Sequence, residues 1–186
     1  MRRIIVGVSG ASGSAYALAM LRALHATQDV ETHLVLSKQA ATTIALEMPG
    51  TNASDFEALA DVVHRESDLA ASISSGSFRT DGMVVIPCSI KTASSIAYSF
   101  NDNLIARAAD VCLKERRRLI LVVRETPLHL GHLRTLTQLA EIGAVILPPI
   151  PAMYARPASI DDILNHTVGK VLDQLDVQNE LFTRWR

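Results

Sequence analysis

The sequence predicts an α/β protein with a doubly wound, Rossmann-like (flavodoxin-like) parallel sheet, a three-layer αβα arrangement in a single domain covering residues 1–186. Short runs of β-branched and apolar residues alternate with longer amphipathic segments, which is the pattern of βαβ units. The first run leads directly into a glycine-rich turn and a helical segment. With 186 residues, 48% of them hydrophobic, the chain can bury one large core.

Five strands are predicted from short apolar runs rich in β-branched residues. They cover residues 4–8, 31–37, 81–87, 118–123 and 144–148. Helices are predicted at 14–27, 38–48, 55–64, 92–99, 102–117, 127–143 and 159–175, and residues 72–80 are predicted to form a polar loop. Ser37 is placed to cap the second helix, Ser159 and Asp162 resemble a capping box, and Gly143 ends the helix before the last strand.

Composition and charge exclude several classes of partner. The net charge of −1 gives no reason to expect nucleic acid. The longest apolar runs are too short to span a bilayer, so no membrane span is expected. Cys88 and Cys112, in a chain without a recognisable secretory signal, indicate a reduced, cytoplasmic protein. The positive mean hydropathy predicts more apolar surface than one domain buries, which favours a homo-oligomer.

The turn after the first strand is the first candidate site. Its segment "GVSGASGS" carries Gly7, Gly10 and Gly13 between a strand and a helix, where backbone N–H groups can receive an anion such as phosphate. Ser9 stands where the dinucleotide fingerprint G-x-G-x-x-G requires its second glycine. The loop therefore favours a phosphate but not a dinucleotide.

Hydroxyl groups dominate the predicted carboxyl ends of the strands, where ligands of such sheets bind. The second strand ends in Ser37 and Lys38, without the acidic residue that holds the ribose of NAD. Hydroxyls and loop N–H donors suit one phosphate and a ribityl chain, so flavin mononucleotide (FMN) is the expected ligand. The hydroxyl-bearing residues are Ser9, Ser12, Ser37, Ser89 and Thr92.

Three other features are assigned ordinary structural roles. Arg116, Arg117 and Arg118 lie at the end of a predicted helix and are expected to be solvated there. His129 and His132 lack a third ligand at matching spacing, so no metal site is expected. Cys88 is expected to be a small core residue and not a nucleophile.

Several longer segments carry a resemblance to a known family. The segments "SISSGSF", "PCSIKTASSIA", "RAADVCLKERR" with "RETPL", and "PPIPAMYARP" resemble the UbiX-type flavin prenyltransferases, from about residue 3 to the "LFTRW" segment. The resemblance implies transfer of a dimethylallyl group from dimethylallyl phosphate to N5 and C6 of reduced FMN. The product, prenylated FMN, serves UbiD-type decarboxylases, and relatives form dodecamers. Residues 48–54 match no part of the family pattern.

The resemblance also implies site residues. Those implied to contact FMN are Gly10, Ala11, Ser12, Ser37, Ser89, Ile90, Lys91, Thr92 and Arg124. Those implied to bind the dimethylallyl phosphate are Tyr154, Lys170, Arg107 and Lys114, and those implied to act in catalysis are Glu47, Glu125, Tyr154, Trp185 and Lys114. Lys170 stands where some relatives carry arginine, which keeps the charge but not the bidentate grip.

The chemistry of these residue types agrees with that reaction. Arg107 and Lys114 are seven residues apart, so both can project from one helix face. Because no acidic cluster resembles a magnesium site, cationic side chains must stabilise the departing phosphate. The faces of Tyr154 and Trp185 can stabilise an allylic cation. Glu125, Glu47 or the released phosphate can take the proton lost from the flavin.

Two alternatives remain open at this stage. A flavodoxin-like electron carrier would share the hydroxyl-rich loop, but such proteins are strongly acidic and stack the flavin between aromatic rings, whereas this chain has 4% aromatic residues. An FMN-binding subunit of an aromatic (hydroxyaryl) acid decarboxylase would perform the same flavin chemistry for a partner.

Overall fold

The computed structural model describes residues 1–185; the predicted domain ends at Arg186, which lies outside the described residues. The strands are β1 (Arg2–Val8), β2 (Val30–Leu36), β3 (Val62–Arg65), β4 (Gly82–Cys88), β5 (Arg118–Val123) and β6 (Val145–Ile146). The helices are α1 (Ser14–His25), α2 (Lys38–Glu47), α3 (Ala53–Glu57), α4 (Ile90–Ala97), α5 (Leu104–Lys114), α6 (Leu130–Glu141) and α7 (Ile160–Gln174). Within residues 1–185, no helix combines the length and the apolar character needed to cross a bilayer.

The six strands within the described residues form one parallel sheet in the order β3-β2-β1-β4-β5-β6. Alternate residues of each strand point to opposite faces, so Ile4 and Val6 join one core while Ile5 joins the other. Helices α1, α2, α3 and α7 cover the first face, and α4, α5 and α6 cover the second. This confirms the doubly wound, three-layer prediction and puts the point where the chain changes direction between β1 and β4.

The residues predicted to cap or end three helices are confirmed. The Ser37 hydroxyl accepts a hydrogen bond from Ala40 N and caps α2. Ser159 and Asp162 form a capping box at α7. Gly143, with φ of 103°, follows the end of α6 in the left-handed region that favours glycine.

The prediction of one helix over residues 55–64 is wrong. Only Ala53–Glu57 is helical, and the chain then enters the edge strand β3, which pairs with β2. The four residues of β3 alternate between half-buried and exposed positions, so they lack the continuous apolar run that marks the inner strands. Pairing with β2 therefore stabilises a short edge strand that lacks this apolar run.

Arg117 is not a freely solvated side chain, contrary to the expectation. Its guanidinium donates hydrogen bonds to the carbonyl oxygens of Gly76 and Phe78, at 2.6 and 2.8 Å, and lies 3.4 Å from Thr80 Oγ1. The positive φ of 55° at Arg116 turns the chain at this point. Arg117 therefore holds the polar loop of residues 72–80 against the end of α5.

Ser9 joins the two central strands where they leave the sheet. Its buried hydroxyl donates to the carbonyl oxygen of Pro87 at 2.8 Å and accepts a hydrogen bond from Ser89 N at 2.8 Å. Glycine, which the dinucleotide pattern requires here, could make neither bond. The serine therefore fixes the distance between the loop after β1 and the loop after β4.

We predict that Ser9→Ala destabilises the fold. The substitution leaves Ser89 N and the Pro87 carbonyl without their hydroxyl partner, which costs about 1–3 kcal/mol for buried groups. The free energy of unfolding from urea titrations measures the loss, with Ser77→Ala, which removes an exposed loop hydroxyl, as the control. Equal stability of the two variants would contradict a bridging role for Ser9.

Candidate active site

A cavity of about 240 Å³ opens at the carboxyl edge of the sheet, between the ends of β1, β2, β3 and β4. Its lining comprises Gly10, Ser37, Gln39, Glu66, Ser89, Lys91, Thr92, Ser95, Asn103 and Ile105. The structure thus brings together five residues that the resemblance implied for FMN. We call this space the flavin cavity.

Gly10 forms the wall of the flavin cavity next to α2. A Cβ atom built on Gly10 would lie 2.4 Å from Gln39 Cβ, so no side chain fits at this position. The Gly10 carbonyl accepts a hydrogen bond from Thr43 Oγ1 at 3.1 Å, which ties the loop to α2. Glycine at this position therefore allows the loop after β1 to pack closely against α2.

The amino terminus of α1 is already occupied by a carboxylate. Glu47 accepts hydrogen bonds from Gly13 N at 3.0 Å and Ser14 N at 2.8 Å. Burial alone would raise the pKa of Glu47, but hydrogen bonds from Ser12, Ser14 and Gly13 outweigh it and lower that pKa. The expectation that the glycine loop presents this helix end to a phosphate is therefore corrected, because the Glu47 carboxylate takes the N–H groups.

The amino terminus of α4, in contrast, faces the flavin cavity with a neutral cap. Ser89 Oγ accepts from Thr92 N at 3.2 Å and lies 3.1 Å from Thr92 Oγ1. The N–H groups of Ile90 and Lys91 belong to the first turn and have no helical acceptor. Ser89, Lys91 and Thr92 line this one space and carry hydroxyl, N–H and ammonium donors, a donor set that fits a phosphate and a ribityl chain.

The cysteine next to this helix end is buried, as expected. Burial raises the pKa of the Cys88 thiol to about 12, so the thiolate is absent at neutral pH. The role of Cys88 in packing is thereby confirmed.

Glu66 lines the flavin cavity and was missed by sequence reasoning. It follows β3, and its carboxylate accepts a hydrogen bond from Lys38 N at 2.9 Å while its carbonyl accepts from Leu104 N at 2.8 Å. An acidic residue therefore does reach the end of β2, but from the neighbouring strand. Recognising β3 would have placed Glu66 at this edge of the sheet, but residues 55–64 were predicted to form one helix.

Arg124 and Glu125 leave the sheet at the end of β5. The Arg124 N–H group donates to the Cys88 carbonyl at 3.0 Å, which extends the β4–β5 pairing by one residue. Glu125 is exposed, and its carboxylate accepts a hydrogen bond from Thr126 N at 3.0 Å. One carboxylate oxygen of Glu125 therefore has a local partner, and the side chain stands beside the cavity edge of the sheet.

Arg107 and Lys114 do not line the flavin cavity of the same chain. The Arg107 guanidinium lies 3.1 Å from the Ser74 carbonyl and 3.4 Å from Asp110, and Lys114 pairs with Glu115. Helix α5 runs antiparallel to the strands, so Lys114, its last residue, lies toward the opposite edge of the sheet. Within residues 1–185, no group of three or more His, Cys, Asp or Glu side chains is arranged to hold a metal ion.

Tyr154 and Trp185 meet in a cluster of four rings that also contains His166 and Phe182; we call it the tail cluster. The Tyr154 and Trp185 rings pack edge to face with centroids 5.1 Å apart. His166 packs against Phe182 at 4.8 Å, and its Nε2 lies 3.3 Å from the Tyr154 hydroxyl. Sequence reasoning named Tyr154 and Trp185 but missed His166.

A clasp on α7 holds the chain end in this position. Asp173 accepts two hydrogen bonds from Arg184, both at 2.8 Å, and Asn179 Nδ2 donates to Asp173 at 3.0 Å. Phe182 lies over Gly169, where a Cβ atom would approach within 2.4 Å of its ring. Lys170 projects from the same helix, 3.9 Å from Asp173. The clasp thus brings Trp185 to Tyr154 and leaves the Lys170 ammonium group half-exposed nearby.

The comparison with known proteins agrees with this geometry. The Flavoprotein family model matches residues 1–172. The flavin prenyltransferase UbiX of Escherichia coli K12 is 58% identical over 188 aligned positions, which cover 100% of this chain and 99% of the relative. The chain belongs to the UbiX family of flavin prenyltransferases.

Two solved structures of UbiX relatives superpose on the whole chain. A dodecameric FMN-dependent UbiX-like decarboxylase from Escherichia coli O157:H7 is 50% identical, with a TM-score of 0.96 and 99% of each chain covered. AnUbiX (PadA1), in complex with FMN and dimethylallyl pyrophosphate, is 49% identical, with a TM-score of 0.93 and coverage of 100% of this chain and 97% of its own. Both relatives therefore share the fold of this chain.

We predict that Asp173→Asn releases the chain end from α7. Trp185 is the single tryptophan, so its fluorescence anisotropy decay reports the clasp directly. The neutral amide loses the ionic bonds to Arg184, and the decay should gain a fast component of large amplitude. Asp176→Asn is the control, because it makes the same charge change in a left-handed position, at φ of 55°, that asparagine tolerates.

The pH dependence of the clasp has a definite sign. Hydrogen bonding from Arg184 is the main effect that lowers the pKa of Asp173 below its ordinary value of 3.8. The stabilisation is therefore complete above that value and is lost as the pH falls through the lower folded-state pKa. Anisotropy of wild-type Trp185 should stay constant from pH 5 to 8; a change within that range would contradict this assignment.

Proposed function

We propose that this protein is a metal-independent flavin prenyltransferase that joins the dimethylallyl group of dimethylallyl phosphate to N5 and C6 of reduced FMN. The observation that carries the proposal is the 58% sequence identity, over the whole chain, with a UbiX flavin prenyltransferase. The flavin cavity supports it, because its hydroxyl, N–H and ammonium groups suit the polar end of FMN. The prenylated FMN produced would pass to a UbiD-type decarboxylase.

The phosphate of FMN is proposed to bind at the amino terminus of α4. Ser89, Thr92 and Lys91 offer donors there, whereas Glu47 and Glu66 already occupy the ends of α1 and α2 with negative charge. Two anions at one helix end would repel each other. We propose that Ser37, Gly10, Ala11 and Ser12 contact the ribityl chain and the flavin, with Arg124 on the opposite side.

The dimethylallyl phosphate is proposed to bind beside the tail cluster. Lys170 supplies positive charge to its phosphate, and the edge-to-face rings of Tyr154 and Trp185 form a corner that suits an allylic cation. Reduced FMN supplies the nucleophilic N5 atom when it is bound. Glu125 accepts the proton released as the new ring closes, since the Glu47 carboxylate is already bonded to Gly13 N and Ser14 N.

Association between copies of the chain is proposed to complete the donor site. Arg107 and Lys114 stand apart from the flavin cavity of their own chain, and a UbiX-like relative is a dodecamer. Large apolar side chains are exposed on the surface of the chain, among them Phe100 at 64% and Leu130 at 60%. The free, buried thiols of Cys88 and Cys112 agree with a reducing, cytoplasmic location.

A second candidate is an FMN-binding decarboxylase, since a solved relative carries that description. An electron carrier of flavodoxin type fits less well. Within the described residues, no aromatic ring lines the flavin cavity, so the flavin would lack the stacking partners of that class.

We predict that the purified protein binds FMN and converts it to prenylated FMN. Mass spectrometry of the flavin, after anaerobic incubation of dithionite-reduced FMN with dimethylallyl phosphate, should show one added dimethylallyl group. Parallel samples contain dimethylallyl pyrophosphate, EDTA, or an aromatic acid without a donor. Unmodified flavin with both donors would overturn the proposal, and release of CO₂ from the aromatic acid would favour the decarboxylase.

We further predict that Glu125→Gln slows prenylation and leaves FMN affinity intact. The amide keeps the shape and the hydrogen bond from Thr126 N but cannot accept a proton, so kcat should fall about 10²–10⁴-fold, the usual share of general acid–base catalysis. Glu141→Gln, an exposed change on α6, is the control. A rise confined to KM would show that Glu125 only positions the donor.

A further inference from the structure

His166 lies at the centre of the tail cluster, although neither the glycine loop nor the family motifs include it. It is one helical turn before Lys170 on α7, and its Nε2 is 3.3 Å from the Tyr154 hydroxyl oxygen. Phe182 packs on the ring at 4.8 Å. A half-buried imidazole therefore contacts Tyr154 and lies one turn from Lys170, the two residues that the family resemblance implied for binding the dimethylallyl phosphate.

The charges around His166 favour its neutral form. Partial burial, followed by the charge of Lys170, lowers the pKa of His166 below 6.5. Asp162, one turn earlier on α7, is bonded to Ala158 N and Ser159 N, and Asp173 is paired with Arg184. In the described part of the chain, Tyr154 is the hydrogen-bond partner of the His166 side chain and no carboxylate contacts it. The ring is therefore neutral at pH 7.

A neutral imidazole carries one N–H group, and its position decides what Tyr154 can do. With the proton on Nδ1, Nε2 would accept the hydroxyl proton of Tyr154, which could then not be donated elsewhere. With the proton on Nε2, the imidazole donates to the hydroxyl oxygen, and the Tyr154 proton is free. Only the second arrangement lets Tyr154 donate to a phosphate held by Lys170.

We propose that His166 is a positioning residue that donates its Nε2–H to Tyr154 and thereby directs the Tyr154 hydroxyl to the phosphate of the prenyl donor. This inference rests on the proposed function. The Tyr154 hydrogen bond gains strength as the C–O bond of the donor breaks and its electron pair moves to the phosphate, because the acceptor becomes more negative. His166 thus acts through Tyr154 on the step that forms the allylic cation.

The first test compares two substitutions of His166 in the full-length protein. His166→Gln keeps an N–H donor, so kcat/KM for dimethylallyl phosphate should remain within about threefold of wild type. His166→Phe keeps a ring beside Phe182 but has no donor, so the Tyr154 hydroxyl is no longer directed to the phosphate. Loss of that hydrogen bond from Tyr154 to a charged group should lower kcat/KM by about 10- to 100-fold. Equal activity of His166→Phe and wild type would overturn the proposal, as would equal losses in both variants.

A double-mutant cycle shows whether His166 acts through Tyr154. Tyr154→Phe removes the hydroxyl, and adding His166→Phe to it should cause no further loss of kcat/KM. Multiplied losses would overturn the proposal, because they would mean that His166 acts independently of Tyr154. FMN affinity, measured by fluorescence quenching, should be unchanged in every variant.

Nuclear magnetic resonance of the ¹⁵N-histidine-labelled protein provides a readout that does not depend on turnover. The signal of His166 is identified by its loss in His166→Gln, and it should show the Nε2–H tautomer. Inorganic phosphate should raise the pKa of His166, because a nearby dianion favours the imidazolium. An Nδ1–H tautomer or an unchanged pKa would overturn the proposal. Failure of wild-type prenylation would instead refute the proposed function.

Discussion

The hydroxyl of Ser9 is the interaction on which the geometry of the flavin cavity depends. It connects the exits of β1 and β4, the two strands between which the chain reverses its winding direction. In a doubly wound sheet this gap becomes the ligand crevice because the following helices diverge to opposite faces. A buried serine with both a donor and an acceptor bond sets the width of that gap, and Gly10 can then approach α2 without a side chain in the way.

The helix amino termini around this gap differ in charge: two are bonded to carboxylates, whereas that of α4 has a neutral cap. Carboxylates of Glu47 and Glu66 neutralise the amino termini of α1 and α2, so these ends contribute to stability and repel further anions. The end of α4 carries the neutral cap Ser89 and the cation Lys91. The amino terminus of α5 also borders the flavin cavity and has a neutral cap, Asn103. The negative charge at the ends of α1 and α2 comes from acidic residues distant in sequence from the glycine loop.

Local sequence signals predicted most of the fold, because inner strands and caps depend on neighbouring residues. Apolar runs marked β1, β2, β4 and β5, and Ser37 capped its helix as its position suggested. The features that the sequence analysis did not predict all depend on residues distant in the chain. β3 exists through pairing with β2, Arg117 is held by the distant carbonyls of Gly76 and Phe78, and Glu66 reaches the cavity only through β3. The position of His166 likewise follows from the docking of the chain end on α7.

The flavin cavity and the tail cluster, proposed to bind FMN and the prenyl donor, differ in how far they are exposed to water. The flavin cavity is built at the ends of buried strands, whereas Tyr154 is 44% exposed and Trp185 is 77% exposed. A cation over an exposed ring gains about 0.5–1 kcal/mol, against about 2 kcal/mol or more when water is excluded. The tail cluster can therefore stabilise an allylic cation strongly only when something covers it. A second copy of the chain, which would also bring Arg107 and Lys114, meets both needs, so assembly and catalysis are expected to be inseparable in this protein.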